Sequence, residues 1–204
     1  MAKQENIEVV QGKTFLRPVR WEVLPIVYRP ITGISQTAPV RITCPTHGAP
    51  EGWRAAVVSA KGMLQINALN APLKDKDYHS VTVIDADTVE FNDVNAAGFK
   101  AYTSGGYLQY NTPALLSGHT ARMSIKDKIG GTELLRLDTS VVAPQPRIVL
   151  DDIEKTITLS VSAADMAALG WTKGVYDLEV VSPAGIVTLL MYGSFTVVKE
   201  VTTT

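Results

Sequence analysis

Cysteine is almost absent from this chain of 204 residues, whose single example is Cys44. One thiol excludes an intramolecular disulfide, and it fits folding in a reducing compartment with Cys44 as a buried structural side chain. The chain also lacks an uninterrupted apolar run long enough to span a membrane. Residues 1–6 lack the apolar core of a signal peptide, so we expect synthesis without a secretion signal and no membrane partner.

Net charge is nearly absent too. Nineteen Lys and Arg residues against 20 Asp and Glu residues give a net charge of -1 and a pI near 6.3. This balance predicts no nucleic-acid partner, although a small local basic patch stays possible. Hydrophobic residues make up 46% of the chain and charged residues 19%, which indicates a globular protein with one large or two small domains.

The three histidines, His47, His79 and His119, have no metal-ligand spacing. Cys44 and His47 resemble half of a zinc ligand set, but the chain has no second cysteine, and Pro45 between them favours a structural turn. A Cys44 nucleophile assisted by a distant histidine is the alternative. We expect no catalytic, metal-binding or cofactor-binding residue.

Two aspartate pairs have structural interpretations. Asp85 and Asp87 could form a calcium loop, but no glycine or bidentate glutamate follows at the required offset. We therefore expect these two side chains to hydrogen-bond their own backbone in a hairpin turn. Asp151 and Asp152 are interpreted as a turn before a strand at Ile153.

Glycines and aromatic residues suggest little chemistry. Gly105-Gly106 lead into an extended segment, not a helix, so they do not form a phosphate cradle. Four aromatic residues could form a sugar or protein contact surface, although core or inter-domain packing is favoured for each: Trp53, Tyr102, Tyr107 and Tyr110.

The C-terminal part of the chain alternates with period two. Residues 156–161 place Ile157, Leu159 and Val161 on one face, and residues 175–180 alternate in the same way. A short helix is predicted from Ser162 to Leu169 and a turn at 182–185. The most apolar stretch, 186–192, is predicted to be a buried strand. Strands 8 to 12 residues apart are typical of a β-sandwich.

This β-pattern is interrupted near the N-terminus. Residues 7–16 are predicted to form one strand of a domain, whose alternation resumes only at 119–126. We therefore predict an all-β protein in which residues 1–24 and 112–204 form one discontinuous domain. Residues 25–111 form a second domain inserted after its first strands.

The inserted segment has a strand, turn and loop pattern of its own. Strands are predicted at 37–43 and 53–59, and a polar loop is predicted at 67–78. The clearest local signal is a hairpin in which residues 81–84 and 88–91 flank an aspartate-rich turn.

Motifs of the inserted segment resemble a small β-barrel module of tailed-bacteriophage structural proteins, which is similar to the first catalytic-cysteine half-domain of ubiquitin-activating enzymes. That half-domain does not hold the catalytic cysteine, so the resemblance implies no activity. It departs at 49–53 and in the loop 68–78. The motifs are Thr46-His47-Gly48, Lys61-Gly62-Met63, the hairpin 81–91 and Gly98-Phe99-Lys100-Ala101-Tyr102-Thr103-Ser104-Gly105-Gly106.

The flanking segments resemble an immunoglobulin-like phage module similar to the N-terminal domain of baseplate upper proteins. In that family the first two motifs nearly adjoin, whereas here the barrel separates them and His119 replaces a tyrosine. The resemblance implies an immunoglobulin-like β-sandwich. The motifs are Gln11-Gly12-Lys13-Thr14-Phe15, Leu116-Ser117-Gly118-His119-Thr120-Ala121-Arg122-Met123, Ser162-Ala163-Ala164-Asp165 and Gly174-Val175-Tyr176-Asp177-Leu178-Glu179.

Together the two resemblances imply a non-enzymatic virion structural protein, made in the host cytoplasm and assembled with other virion proteins as a symmetric homo-oligomer. The leading hypothesis is an adaptor at the tail, baseplate or neck that anchors fibres or other tail parts. Capsid decoration is an alternative, as is a carbohydrate-binding adhesion module that uses Tyr102, Tyr107 and Tyr110. A hydrolase has the weakest support.

Overall fold

The computed structural model describes residues 2–143 and 145–200. It is nearly all β, with 48% of residues in strands and 6% in helices, so the all-β prediction is confirmed. The chain divides into a discontinuous unit, Met1–Trp21 with Leu115–Thr204, and an inserted unit, Glu22–Ala114. The boundaries predicted at 24/25 and 111/112 each lie three residues from these.

The described residues form sixteen strands. Before the insertion they are β1 Lys3–Gln4, β2 Ile7–Val10 and β3 Phe15–Val19. Within it they are β4 Glu22–Pro30, β5 Gly33–Ile34, β6 Val40–Thr43, β7 Arg54–Val58, β8 His79–Val83, β9 Thr88–Phe91 and β10 Tyr107–Pro113. After it they are β11 Thr120–Lys126, β12 Glu133–Asp138, β13 Arg147–Asp151, β14 Thr156–Val161, β15 Lys173–Val181 and β16 Val187–Val198.

Over residues 2–143 and 145–200, helical structure is limited to short segments. The α-helix α1 spans Ala163–Ala167, and two 3-10 turns span Leu64–Ile66 and Asp75–Asp77. The hydroxyl of Ser162 accepts a hydrogen bond from the Asp165 N–H, which is the predicted N-cap. No helix among the described residues is long and apolar enough to cross a membrane.

The N-terminal strands pair with strands more than one hundred residues away. β1 and β2 lie parallel to β16, and β3 lies antiparallel to β14. The prediction of one continuous strand over 7–16 is therefore wrong. Gly12 adopts a φ of 76° in a turn after Val10, which sends β2 and β3 to opposite ends of the nine-stranded sheet.

This nine-stranded sheet curls around one core. Its order is β1-β16-β15-β11-β12-β13-β14-β3, with β2 also on β16, and only the pair Asp138↔Arg147 joins β12 to β13. Side chains from both sides of that weak junction share a core, among them Met123, Leu178, Ile157 and Leu159. The buried face predicted for 156–161 is confirmed, whereas the immunoglobulin-like topology stays a prediction.

The inserted unit is a second curled sheet, of order β4-β10-β7-β8-β9-β6-β5. Its two edge strands, β4 and β5, are consecutive in the chain and only Ile31 and Thr32 separate them. A sheet whose opposite edges are so closely joined must curl toward a barrel. Its core includes Trp53, Phe91 and Leu108.

The hairpin predicted in the inserted segment is confirmed, because Val81 pairs with Phe91 and Val83 with Val89. The strand predicted over 37–43 begins only at Val40. The predicted polar loop 67–78 includes the 3-10 turn Asp75–Asp77. The buried carboxylate of Asp77 organises this loop by accepting hydrogen bonds from Leu69 N, Lys74 N and the Asn70 amide.

Both turns predicted in the discontinuous unit are present, but the strand after the first turn begins later than expected. The turn at Asp151 and Asp152 is confirmed, but the next strand begins at Thr156, not Ile153, which is 87% exposed. Asp151 accepts hydrogen bonds from Ile153 N and Glu154 N, so the turn takes up these residues. The turn at 182–185 is present, with Gly185 at a φ of 79°.

The two ends of the inserted unit are paired with each other. Glu22 lies opposite Pro113, and Val23 opposite Thr112, in the β4–β10 ladder. Opposed residues of an antiparallel pair are separated by about 5 Å, so a short linker can replace everything between them.

We predict that replacing residues 24–111 with a short Gly/Ser linker leaves the discontinuous unit folded, because the described side chains of its core belong to 7–21 and 116–197. Circular dichroism and amide NMR dispersion check this. Loss of a cooperative melt in the shortened protein would contradict it.

We predict that Gly193→Ala destabilises the discontinuous unit. A Cβ there would collide with the Glu5 carbonyl, which cannot move without displacing the segment between β1 and β2. A cost of about 2 kcal/mol is expected from such overpacking. Gly170→Ala is the matched control, because its Cβ would meet nothing within 4 Å. Equal unfolding midpoints for the two variants in urea would contradict the prediction.

Candidate contact surfaces

Cys44, His47, Asp85 and Asp87 come together in the inserted unit. The turn after β6 is fastened to the β8–β9 turn through Cys44 N and the Asp87 carbonyl, and through Thr46 N and the Asp87 carboxylate. The Asp85 carboxylate accepts from Asp87 N, as predicted. The sequence does not reveal that Asp87 bonds the other turn instead of its own.

The ring of His47 is buried, and backbone groups occupy both of its nitrogens. Nδ1 accepts from Ala49 N, so Nε2 carries the proton and donates to the Asp85 carbonyl at 2.9 Å. Neither nitrogen is available as a base. Burial raises the pKa of the Cys44 thiol from 9.0 to about 11, against a smaller opposing effect of Arg29. The nucleophile alternative for Cys44 therefore has neither an activated thiol nor a base in His47.

The other two histidines lie apart. His79 stacks on Phe91 and pairs with Asp93 at 2.8 Å, while His119 belongs to the discontinuous unit and packs edge-on against Trp21. Among the described residues no group of three His, Cys, Asp or Glu side chains could hold a metal ion.

The aromatic platform suggested by Tyr102, Tyr107 and Tyr110 does not form. Tyr110 is buried, and its hydroxyl donates to the His47 carbonyl. Tyr102 donates its hydroxyl to the carbonyls of Ile31 and Gly105. Tyr107 and Tyr110 are three residues apart on β10, so the pleat sends them to opposite faces. Tyr107 alone of the three is well exposed, and Trp53 is a core residue.

Tyr107 belongs instead to a different surface, which we call the tyrosine face: Ile26, Tyr28, Arg54, Tyr78 and Tyr107. Tyr28 on β4 is 51% exposed and meets Tyr107 edge-on, with ring centroids 6.2 Å apart. Ile26 lies two residues before Tyr28 and points the same way. Ile26, Tyr28, Arg54 and Tyr107 lie on the outward face of the inserted sheet, and Tyr78 directly precedes β8.

Arg54 stiffens one side of the tyrosine face. Its guanidinium binds the carboxylates of Glu22 and Asp75 and lies 4.6 Å from the centroid of the Tyr78 ring. Side chains already held in place lose little entropy on binding, and tyrosine and arginine are enriched among residues that dominate binding energy. The tyrosine face therefore has the composition and rigidity of a protein contact surface.

A second surface lies on β16. Residues 186–192 were predicted to be a buried strand, but Ile186, Val187, Leu189 and Tyr192 are between 40% and 66% exposed. Within the described ranges no strand pairs with the outer edge of Val187–Leu190, since β1 begins opposite Met191. We call residues 186–192 the open edge. Its exposed apolar side chains and unpaired backbone are typical of contact sites.

Sequence reasoning missed both surfaces for identifiable reasons. Tyr28 and Arg54 carry no motif and become neighbours only through strand pairing. Residues 186–192 are apolar in the sequence, but a run of apolar residues does not reveal whether a strand lies inside a sheet or at its edge.

No family model matches this chain, and no curated protein matches it significantly. The contact surfaces therefore rest on the geometry described above.

We predict that Cys44 is inert in the folded protein. With a pKa near 11, roughly one thiol in a thousand is ionised at pH 8. Reaction with a disulfide reagent should be at least a hundred-fold slower than in guanidinium, where the thiol is released. The Cys44→Ala variant, which has no thiol, gives the background signal of the reagent. Labelling of the native protein as fast as of the unfolded chain would contradict the prediction.

Proposed function

We propose that this protein is a non-enzymatic structural component of a tailed-phage virion, acting as an adaptor at the tail, baseplate or neck. The observation that carries the proposal is that each unit presents its own contact surface. The inserted unit has the tyrosine face, and the discontinuous unit has the open edge. A chain with two such surfaces can bind two partners at once.

The chemistry of the surfaces suits assembly between proteins. The tyrosine face combines aromatic area with an anchored arginine, and the open edge offers apolar side chains beside unpaired backbone. A net charge of -1 gives little repulsion between copies. The proposed partners are other virion proteins, and copies of this chain form a symmetric homo-oligomer in the particle after synthesis in the host cytoplasm.

The motif resemblances add to this proposal. Both the immunoglobulin-like and the β-barrel motifs occur in phage structural proteins, and the observed division at 21/22 and 114/115 is compatible with one module inserted in the other. Capsid decoration uses the same kind of surfaces, and copy number separates it from an adaptor.

Quantitative mass spectrometry of purified virions tests the proposed location. An adaptor at a symmetric tail should be present in about six to twelve copies per particle. A count on the order of hundreds would indicate a capsid decoration protein instead of an adaptor. Absence from the particle would overturn the virion proposal.

We predict that the double variant Tyr28→Ala/Tyr107→Ala assembles poorly into particles while keeping its thermal stability. Tyr28 is 51% and Tyr107 44% exposed, and neither is a core residue, so their loss removes contact area without opening a core cavity. A loss of at least tenfold in incorporation, about 1.4 kcal/mol, is expected.

Ile153→Ala is the control, because Ile153 is 87% exposed on a turn of the other unit. Normal incorporation of the double tyrosine variant would show that the tyrosine face does not bind a virion partner.

A further inference from the structure

A groove of about 670 Å³ lies on the outward face of the discontinuous unit. Its floor is formed by β11, β15 and β16 through Ser124, Val175, Asp177 and Tyr192. One wall is the β11–β12 turn at 128–130, and the other includes Gln4 and Asn6. This volume lies in the range of small-molecule sites.

The polar side chains that line the groove are largely unused by the protein. Across the described residues, the side chains of Gln4, Lys126, Lys128, Asp177 and Tyr192 make no hydrogen bond or ion pair. Tyr192 is 41% exposed, so its ring is accessible. Donors, an acceptor and an aromatic ring therefore converge on one concave surface.

Two ion pairs lie on the same sheet face just outside the groove. Arg122 and Glu179 form an ion pair at 2.7 Å, and Arg136 and Asp138 form one at 2.9 Å. Cross-strand charge pairing is the usual state of an exposed sheet face. Inside the groove, by contrast, Lys126, Lys128 and Asp177 have no such partner among the described residues, and a ligand could complete them.

The backbone of the floor cannot recognise a ligand. Between Tyr192 and Ser194, β16 is bonded to β15 on one side, and on the other the Tyr192 carbonyl accepts from Glu5 N and Ser194 N donates to the Asn6 side chain. A peptide therefore cannot add as a strand at this stretch, because strand addition uses free backbone groups. Over this stretch, recognition comes from side chains.

We propose that this groove binds an acidic oligosaccharide. Sugar hydroxyls both donate and accept, which matches the Asp177 carboxylate and the Gln4 amide. The apolar face of a sugar ring can pack on Tyr192 and Leu189. Two ammonium groups, Lys126 and Lys128, against the one carboxylate of Asp177 leave a net charge of +1, which favours a carboxylate on the sugar.

This site lies outside the tyrosine face and shares only Leu189 and Tyr192 with the open edge. It differs from the sugar site expected at Tyr102, Tyr107 and Tyr110, which belong to the other unit. The ligand class follows from the groove's own side chains.

Binding is tested on the full-length protein by isothermal titration and amide NMR shifts with four probes: a galacturonate trimer, a hyaluronan tetrasaccharide, neutral maltotriose and hexaglutamate. At least one acidic sugar should bind, and maltotriose at least tenfold more weakly. The shifts should map to β11, β15 and β16. Hexaglutamate should bind at least tenfold more weakly than that sugar.

Variants separate the site from general charge effects. Lys126→Gln/Lys128→Gln should weaken binding of the acidic sugar at least tenfold, and Tyr192→Ser should weaken it as well. Lys173→Gln is the matched control, since Lys173 is exposed on β15 but does not line the groove. Thermal melts establish that all variants fold.

Three outcomes would overturn the proposal. Neither acidic sugar binds, or hexaglutamate binds as tightly as the acidic sugars, which indicates a non-selective cationic surface. In the third, the groove variants bind the sugar as the control does. None of these outcomes bears on whether the protein is found in the virion.

Discussion

The pairing of the N-terminal strands with the C-terminal part of the chain is the interaction on which the discontinuous unit depends. Ile7 lies opposite Phe195 in the β2–β16 ladder, and both side chains are core residues. The Tyr176 hydroxyl donates to the Glu5 carbonyl at 2.8 Å, which ties the same segment to β15. Without these contacts β16 would lose the strands along its edge, and part of the apolar core would face water.

The inserted unit is compatible with this closure because its ends are paired with each other. Glu22 opposite Pro113 means that the insertion leaves and returns at almost one point. Its core, centred on side chains such as Trp53 and Phe91, forms from residues of its own segment. The long-range strand pairing therefore carries little loop-closure cost from the intervening chain, once that segment is folded.

Burial and exposure decide which reactive side chains are available. The residues that attract attention by type, Cys44 and His47, serve to hold two turns together, and their polar atoms are withdrawn from solvent. The groups available for contact are unremarkable in sequence: tyrosines on edge and neighbouring strands, an apolar edge, and lysines on a sheet face. The proposed adaptor and saccharide roles both draw on that second group.

Local patterns in the sequence determined the all-β class, the β8–β9 hairpin, the Ser162 cap and the buried alternation of 156–161. These features depend on neighbouring residues, whose periodicity and turn chemistry are visible in one dimension. Only the tertiary structure decided three other features: the separation of 7–16 into two strands, the exposure of 186–192 and the ring contact between Tyr28 and Tyr107. Each depends on which strand lies beside which, and side chains far apart in sequence set that choice through the core they share.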